Sequence, residues 1–485
     1  MSSDAAREET VPSGPLQMPL IPGTEEGRSF WRRLFAPVDI ASLVLFRVLF
    51  GAILFWEVCR YFSNGWIARY FIEPSFHFTY YGFGWVHPWP GQGMYYHFGA
   101  LGVLALCIMA GLAYRLSAAL FFLGFTYVFL LEQARYLNHF YLVCLVSFLM
   151  IFLPAHRAFS LDALWRPSLR SRTVPAWSLW LLRAQIGLVY FFGGIAKING
   201  DWLQGEPMRM WLADRTHLPL LGPHLTEEWA AYFFSYGGLL FDLLVTPGLL
   251  WRRSRVWVFF GGVLFNLTNA VLFSIGIFPW LMLASTAMFF PPDWPRRLWK
   301  WRRSTAGPEM GAAPMAPPSP VARWTVGVLA GSYLMFQILM PLRHFFYPGN
   351  VNWTEEGHRF SWHMKLRSKQ GEARFHVTNP ATQRTYIVDP RHYLSRIQAQ
   401  DLPKHPDMIL QFSHYLAAEK RRQGMTGAEV RAHVMTSLNG RDRQFLIDPT
   451  VNLAAQPRTL RPAKWILPLK EPLARREQGE DDRDE

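Results

Sequence analysis

The chain has 485 residues, 51% of them hydrophobic and 16% aromatic, with 21 Trp and 38 Phe. A soluble domain cannot readily bury so many large apolar side chains, whereas a bilayer accepts them and its interfaces collect Trp and Tyr. The net charge of +14 suits either a nucleic-acid binder or a polytopic membrane protein with basic loops, and the placement of the charges argues for the second and against a nucleic-acid partner. Cys59, Cys107 and Cys144 lie in or beside apolar runs with no CxxC pair, which argues against a zinc site or a disulfide framework. No metal is expected.

Residues 1–30 are polar and lack the short apolar core of a cleavable signal peptide, so the first apolar run is expected to stay as an anchor. A membrane helix needs about 20 mainly apolar residues, fewer where neighbours shield it. Such runs predict about nine spans, near 39–59, 97–113, 116–131, 139–154, 177–196, 232–250, 256–273, 277–291 and 324–341. The fourth and eighth are short. Gly and Pro within these runs suit membrane helices better than soluble ones.

Charge placement tests the alternation independently. With the N-terminus cytoplasmic, the inside loops hold Arg28, Arg32 and Arg33, then Arg115, then Arg157, Arg166, Arg170 and Arg172, then Arg252, Arg253 and Arg255, then the cluster from Arg296 to Arg323. The outside loops hold only Arg60, Arg69, Arg135, Lys197, Arg209 and Arg215. That asymmetry is what the positive-inside rule predicts, and it puts everything after residue 341 outside the cytoplasm.

Between the first two spans, residues 61–96 are dense in aromatics, Gly and Pro and read as a loop in the outer interface. Residues 304–320 read as a Pro/Ala-rich cytoplasmic linker. The remainder, 342–470, reads as a soluble α+β domain. Alternation at 371–378 and 383–388 around Asn379-Pro380 predicts a hairpin. Residues 405–423 predict an amphipathic helix with Met408, Phe412, Tyr415 and Leu416 on one face, and 429–437 a further strand. The acidic stretch 471–485 reads as a disordered tail. The whole is therefore a polytopic α-helical membrane bundle carrying an extracytoplasmic α+β domain, an integral membrane protein.

An ionisable side chain inside a span is costly and is a functional hypothesis by default. Arg47, Glu57, Arg183 and Asp242 are of this kind, with Lys197 and His139 at outer helix ends. Arg47, Arg183 and Asp242 read first as interhelical partners that fix packing, and Asn266 and Asn269 as interhelical hydrogen-bonders. Lys197 follows the glycine-rich FFGGIA and admits two readings: an amine snorkelling into the headgroups, or a desolvated amine kept neutral enough to act as a base. The glycines before it would let a helix or a flat ligand approach closely. Asn138-His139 opens the fourth span on the same outer face, so a potential base, a polar dyad and the aromatic loop fall at one depth.

YFFGGIAKINGDW at 190–202 and YVFLLEQARYLNHFYL at 127–142 resemble segments of the vitamin K-dependent gamma-glutamyl carboxylases. LFSIGIFPWLMLAS at 272–285, FFPPDWPRRL at 289–298, NWTEEGHRFSW at 352–362 and FLIDPTVNL at 445–453 are similar to theirs too, in the same order. The resemblance runs from about residue 35 to 470 and implies an HTTM-type transmembrane domain at 35–341 after a polar segment at 1–34.

What the resemblance implies is specific. Lys197 would deprotonate vitamin K hydroquinone, menaquinol or a similar naphthoquinol, with Asn138 and His139 stabilising the oxyanion. Reaction with O2 would then supply the driving force to remove a γ-proton from a glutamate side chain, a proton too weakly acidic for any side-chain base. CO2 would add to the carbanion, giving γ-carboxyglutamate and quinone epoxide. A site shielded from water at the membrane's outer edge suits such chemistry. His344, Trp353, Trp362 and Met364 match residues near the quinone, and Arg367 and Lys369 match basic residues for the substrate carboxylate, against which stands a solvated strand face. Partners would be membrane lipids, the quinol and a glutamate-containing peptide or protein.

The chain departs from animal members at Asn266, where they carry His, and at Trp362-His363-Met364-Lys365, where they carry Trp-Asp-Met-Met. It is shorter, like a bacterial member, which puts propeptide recognition in doubt. Two other readings stay open: a quinol epoxidase of the same fold without carboxylation, and a non-catalytic transporter or structural protein in which Lys197 only snorkels. No inverted repeat supports a transporter.

Overall fold

The structure, a computed structural model, describes residues 25–219, 221–273, 275–298 and 319–473. Residues 1–24, most of the 304–320 linker and the acidic end from 474 lie outside the described residues.

Among the described residues nine apolar helices follow one another: α1 Ala41–Ser63, α2 Gly93–Ala110, α3 Tyr114–Leu131, α4 Asn138–Phe152, α5 Trp177–Ala196, α6 Glu228–Leu250, α7 Arg255–Phe273, α8 Phe278–Thr286 and α9 Pro320–Leu342. Among the described residues seven are long and apolar enough to cross a membrane. The other two are the fourth and eighth, the runs expected to be short. α4 has 15 residues and α8 has 9, fewer than the about 20 that a lipid-exposed span needs. Both are packed inside the bundle, α4 on α3 and α8 on α1, α5 and α7. A helix walled by other helices has no lipid to match, so its length is free to shorten.

The loops sort to two ends. At one end a short antiparallel ribbon pairs β1 (Pro37–Asp39) with β2 (Thr173–Pro175). Asp39 there holds Arg296 at 2.9 Å, and Asp162 accepts from the backbone of Ala113 and Tyr114. Buried Arg47 donates to the carbonyls of Ala155 and Ala158, and Arg183 to those of Met288 and Phe290. The Arg-rich loops thus gather at one end, as the alternation required. The two intramembrane arginines satisfy carbonyls where helices stop, which is a packing role.

The other end carries the tail. Its sheet is antiparallel in the order β4-β3-β5-β6, with β3 Lys369–Thr378, β4 Thr385–Val388, β5 Glu429–Leu438 and β6 Gln444–Phe445. The predicted hairpin is β3-β4, closed by Asn379. Helix α10, Pro406–Arg422, lays Met408, Phe412 and Leu416 on the sheet, with the Phe412 ring 4.9 Å from that of Phe375.

The aromatic loop corrects one expectation. Instead of lying wholly in the interface, its 76–80 stretch runs beneath the tail. Phe78 is fully buried in the tail's core and Phe76 packs 4.6 Å from Tyr415. A polar seam seals the contact: Arg458 bonds Asp407 and the Thr79 carbonyl, Gln133 bonds Asp407, and Gln398 bonds Glu132. Trp85 and Trp89 remain exposed.

Candidate functional site

The FFGGIAKINGDW stretch builds the site from its own sequence. Gly193 and Gly194 end α5 against α6. A Cβ on Gly194 would meet Leu243 Cδ2 at 2.7 Å, and one on Gly193 would meet Met364 Cε at 3.0 Å and Asp242 Oδ2 at 3.3 Å. The glycines therefore let α6 come close enough to deliver Asp242. Lys197 caps α5, and Asn199 then caps a short turn by accepting from the Trp202 amide at 3.1 Å. That turn swings Trp202 back beside the lysine, with Nζ 5.4 Å from its ring centroid.

Lys197 is 6% exposed. Its Nζ donates to Asp242 Oδ2 at 2.6 Å and to the Gly193 carbonyl at 3.1 Å. An ammonium has three donors, and Lys197 also lines a cavity of about 290 Å³, so the remaining direction is free. The wall is aromatic and aliphatic: Phe241 and Phe265, stacked 4.1 Å apart, Phe273 and Phe278, with Asn266 and Asn269 among its few polar groups. Phe233 and Leu264 line it and are also exposed on the bundle's flank, so the cavity reaches the lipid-facing surface between α6 and α7. A Cβ added to Gly237 or Gly261, which line this side, would meet nothing within 4 Å.

The other expected residues are placed as follows. Met364 lines the cavity. Asn138 and His139 do not, but they stand one layer away: His139 is 6.1 Å from the ring of Phe278, and Asn138 donates to the His363 carbonyl at 3.3 Å while accepting from the Tyr136 hydroxyl. Trp362 is buried in the bundle core, 5.1 Å from Tyr141. His344 packs 4.9 Å from His363 and bonds the Pro341 carbonyl. Trp353 lies in the tail's core, its indole N–H on the Leu467 carbonyl. Segment 352–369 therefore reaches the Lys197 cavity through Met364 and Lys365 alone.

Arg367 and Lys369 converge on Glu355. Arg367 grips that carboxylate with two bonds of 2.5 and 2.6 Å. Lys369, buried, donates to Glu355 at 3.3 Å and to the carbonyls of Trp353 and Lys404. Burial pushes the Glu355 carboxyl up, but Arg367, His358 and Lys369 outweigh it and hold it well below the ordinary carboxylate range. Burial lowers Lys369 to about 8 against the pull of Glu355. Neither residue lies on a solvated strand face.

Sequence reading missed Asp242 as a partner of Lys197, since it stood there only as a packing residue. It also missed Asp201, which Arg441 clamps with bonds of 2.6 and 2.7 Å and which Asn439 joins at 2.8 Å, pinning the tail to the turn that follows Lys197. The only signal in the sequence was a carboxylate in an apolar span, in the first case, and beside one in the second.

Comparison with known families gives two matches. Residues 35–294 match the HTTM domain, and residues 322–472 match the vitamin K-dependent gamma-carboxylase, lumenal domain. No solved structure matches the chain.

Proposed function

The chain belongs to the vitamin K-dependent gamma-carboxylase family, and from that premise we propose that it γ-carboxylates glutamate side chains of a peptide or protein with vitamin K hydroquinone, O2 and CO2, forming quinone epoxide, with Lys197 as base. The observation that carries this reading is the 2.6 Å Lys197–Asp242 pair in the wall of an apolar cavity. In an apolar wall, a proton moving from Nζ to Oδ2 along that bond leaves a neutral amine facing the cavity. Asp242 is thus the store for the proton that Lys197 must give up before it can accept another.

The cavity suits a naphthoquinol. Its volume stands at the lower end of ligand sites, about 300 to 1,000 Å³, and flat aromatic walls with few polar groups are what a fused ring prefers. Phe241, Phe265 and Met364 would hold the ring, and the opening between α6 and α7 would admit it from the bilayer. When bound, the quinol supplies with O2 the oxidative driving force that no side chain has. The chain's part is to take the hydroxyl proton at Lys197 Nζ and to keep water out. Asn138, oriented by Tyr136 and the His363 carbonyl, and His139, behind Phe278, would steady the negative charge that develops. With the Arg-rich end cytoplasmic by the positive-inside rule, the cavity and the tail face the other compartment.

One observation favours the epoxidase alternative: the two basic residues expected at the substrate carboxylate, Arg367 and Lys369, are bonded to Glu355. The test is to supply the purified protein in nanodiscs with reduced vitamin K, labelled bicarbonate and a Glu-rich peptide. Carboxylation predicts epoxide together with labelled peptide. Epoxide without label selects the epoxidase, and neither product overturns both.

A further inference from the structure

The Lys197 cavity has a second cation in its wall, and the carboxylase reading leaves it without a task. Lys365 follows the buried Trp362 by three residues, and both have left-handed backbones, with φ of 52° and 58°. Non-glycine residues adopt that conformation at a cost of about 1 kcal/mol or more, so the stretch is held by its surroundings. Trp362 is locked against Tyr141, and Leu366 is 1% exposed in a separate apolar cluster. The kinked stretch between these two anchors turns both Met364 and Lys365 onto the cavity.

Lys365 lines the cavity and is itself exposed, which puts it at the cavity's rim, and its Nζ stands 5.4 Å from the centroid of Trp211 and 5.2 Å from that of Phe273. Among the described residues no carboxylate pairs with it. The charge that acts on it is a like one, Arg215, which also has no acidic partner among the described residues. Every other cation near the site is committed: Lys197 to Asp242, and Arg367 and Lys369 to Glu355.

We propose that Lys365, supported by Arg215, is the anchor for the substrate's side-chain carboxylate at the mouth of the Lys197 cavity. The inference rests on the carboxylation reading and names the residue that brings the glutamate to it. The aromatic faces steady the ammonium without neutralising it. An arriving carboxylate relieves the repulsion from Arg215 and makes a charge-assisted hydrogen bond. Held there, the γ-carbon stands at the entrance to the cavity whose inner wall carries Lys197. The rings of Trp211 and Phe273 fix the reach of the lysine, so the anchor selects for the length of the acidic side chain.

The test is steady-state carboxylation with the full chain in nanodiscs, varying a Glu-rich peptide at saturating quinol and then the quinol at saturating peptide. A bond to a charged partner is worth about 10- to 100-fold in binding. Lys365→Met is therefore expected to raise the peptide KM at least about tenfold more than it raises the quinol KM. Lys365→Arg should restore the peptide KM to within about threefold of wild type. A Lys365→Met enzyme whose peptide and quinol KM values move together overturns the anchor while leaving carboxylation in place. A wild-type protein that makes epoxide but never labels the peptide overturns the carboxylation reading itself, and the anchor with it.

Discussion

Among the described residues, Lys197 and Lys369 each sit against a buried carboxylate, and only Lys197 also lines the candidate cavity. Lys369 uses all three of its donors, on Glu355 and on the carbonyls of Trp353 and Lys404. Glu355 in turn is gripped by Arg367 and flanked by His358 and His405. Lys197 bonds one carboxylate and one carbonyl and keeps a direction open to a cavity. A saturated cluster is a structural brace. An unsaturated pair beside an empty apolar volume can exchange a proton with whatever enters. Burial and an ion pair therefore do not by themselves mark a site, and the proposal rests on the open third direction at Lys197.

The largest expected effect that would break this contrast is Lys197→Ala, which should abolish epoxide and carboxylated peptide per folded molecule. Lys369→Met should behave in the opposite way. Removing one partner from a buried cluster costs about 3 to 5 kcal/mol, so thermal unfolding should fall sharply, and the surviving folded fraction should retain turnover per molecule. Equal loss of activity per folded molecule in both variants would erase the distinction.

Asp242→Asn is expected to come next. It keeps an acceptor for Nζ but removes the proton store, so turnover should fall about 100-fold, the scale of a lost acid–base group, with quinol affinity little changed. Gly194→Val should be milder. Its new side chain would press Leu243, which stands only 2.7 Å from where a Cβ would sit, at an overpacking cost of about 1 to 3 kcal/mol, and turnover should drop as α6 carries Asp242 away.

The smallest effect on turnover is at the seam between bundle and tail. Burial raises the Glu132 carboxyl from 4.5 to about 8, while its bonds from the Ala134 amide and Gln398 work in the opposite sense. A value raised on folding means that the folded chain favours the protonated form. The contribution is complete below the unfolded value and is lost as pH rises through about 8. Thermal unfolding followed across that window should show stability declining with pH, and Glu132→Gln should flatten the decline. A variant with an unchanged slope would assign the pH dependence to another group.

The sequence made some of this legible because the relevant physics is local. Runs of about 20 apolar residues announced the long helices, period-two alternation announced β3 and β4, and the turn chemistry of Asn379-Pro380 joined them. Lys197 was visible because a lysine after FFGGIA is costly where it stands. Its partner was not visible, since Asp242 lies 45 residues away and any intramembrane carboxylate also suits a packing role. The covered 76–80 part of the 61–96 loop was not legible because a run rich in Phe, Tyr and Trp satisfies a headgroup layer and a covered interface equally well; only the tail settles which part is covered. Trp353 shows the same limit, as the Leu467 carbonyl that takes its N–H lies 114 residues on.

The central question is whether the Lys197–Asp242 cavity is where the quinol meets its base. The most direct measurement is a single-turnover assay with reduced vitamin K and O2 on wild type and Lys197→Ala, with binding followed in parallel through the fluorescence of Trp202 in the cavity wall. The prediction is that the variant binds the quinol with a Kd within about threefold of wild type, as expected where apolar walls supply the affinity, yet forms no epoxide. Epoxide formed at the wild-type rate by Lys197→Ala would contradict it.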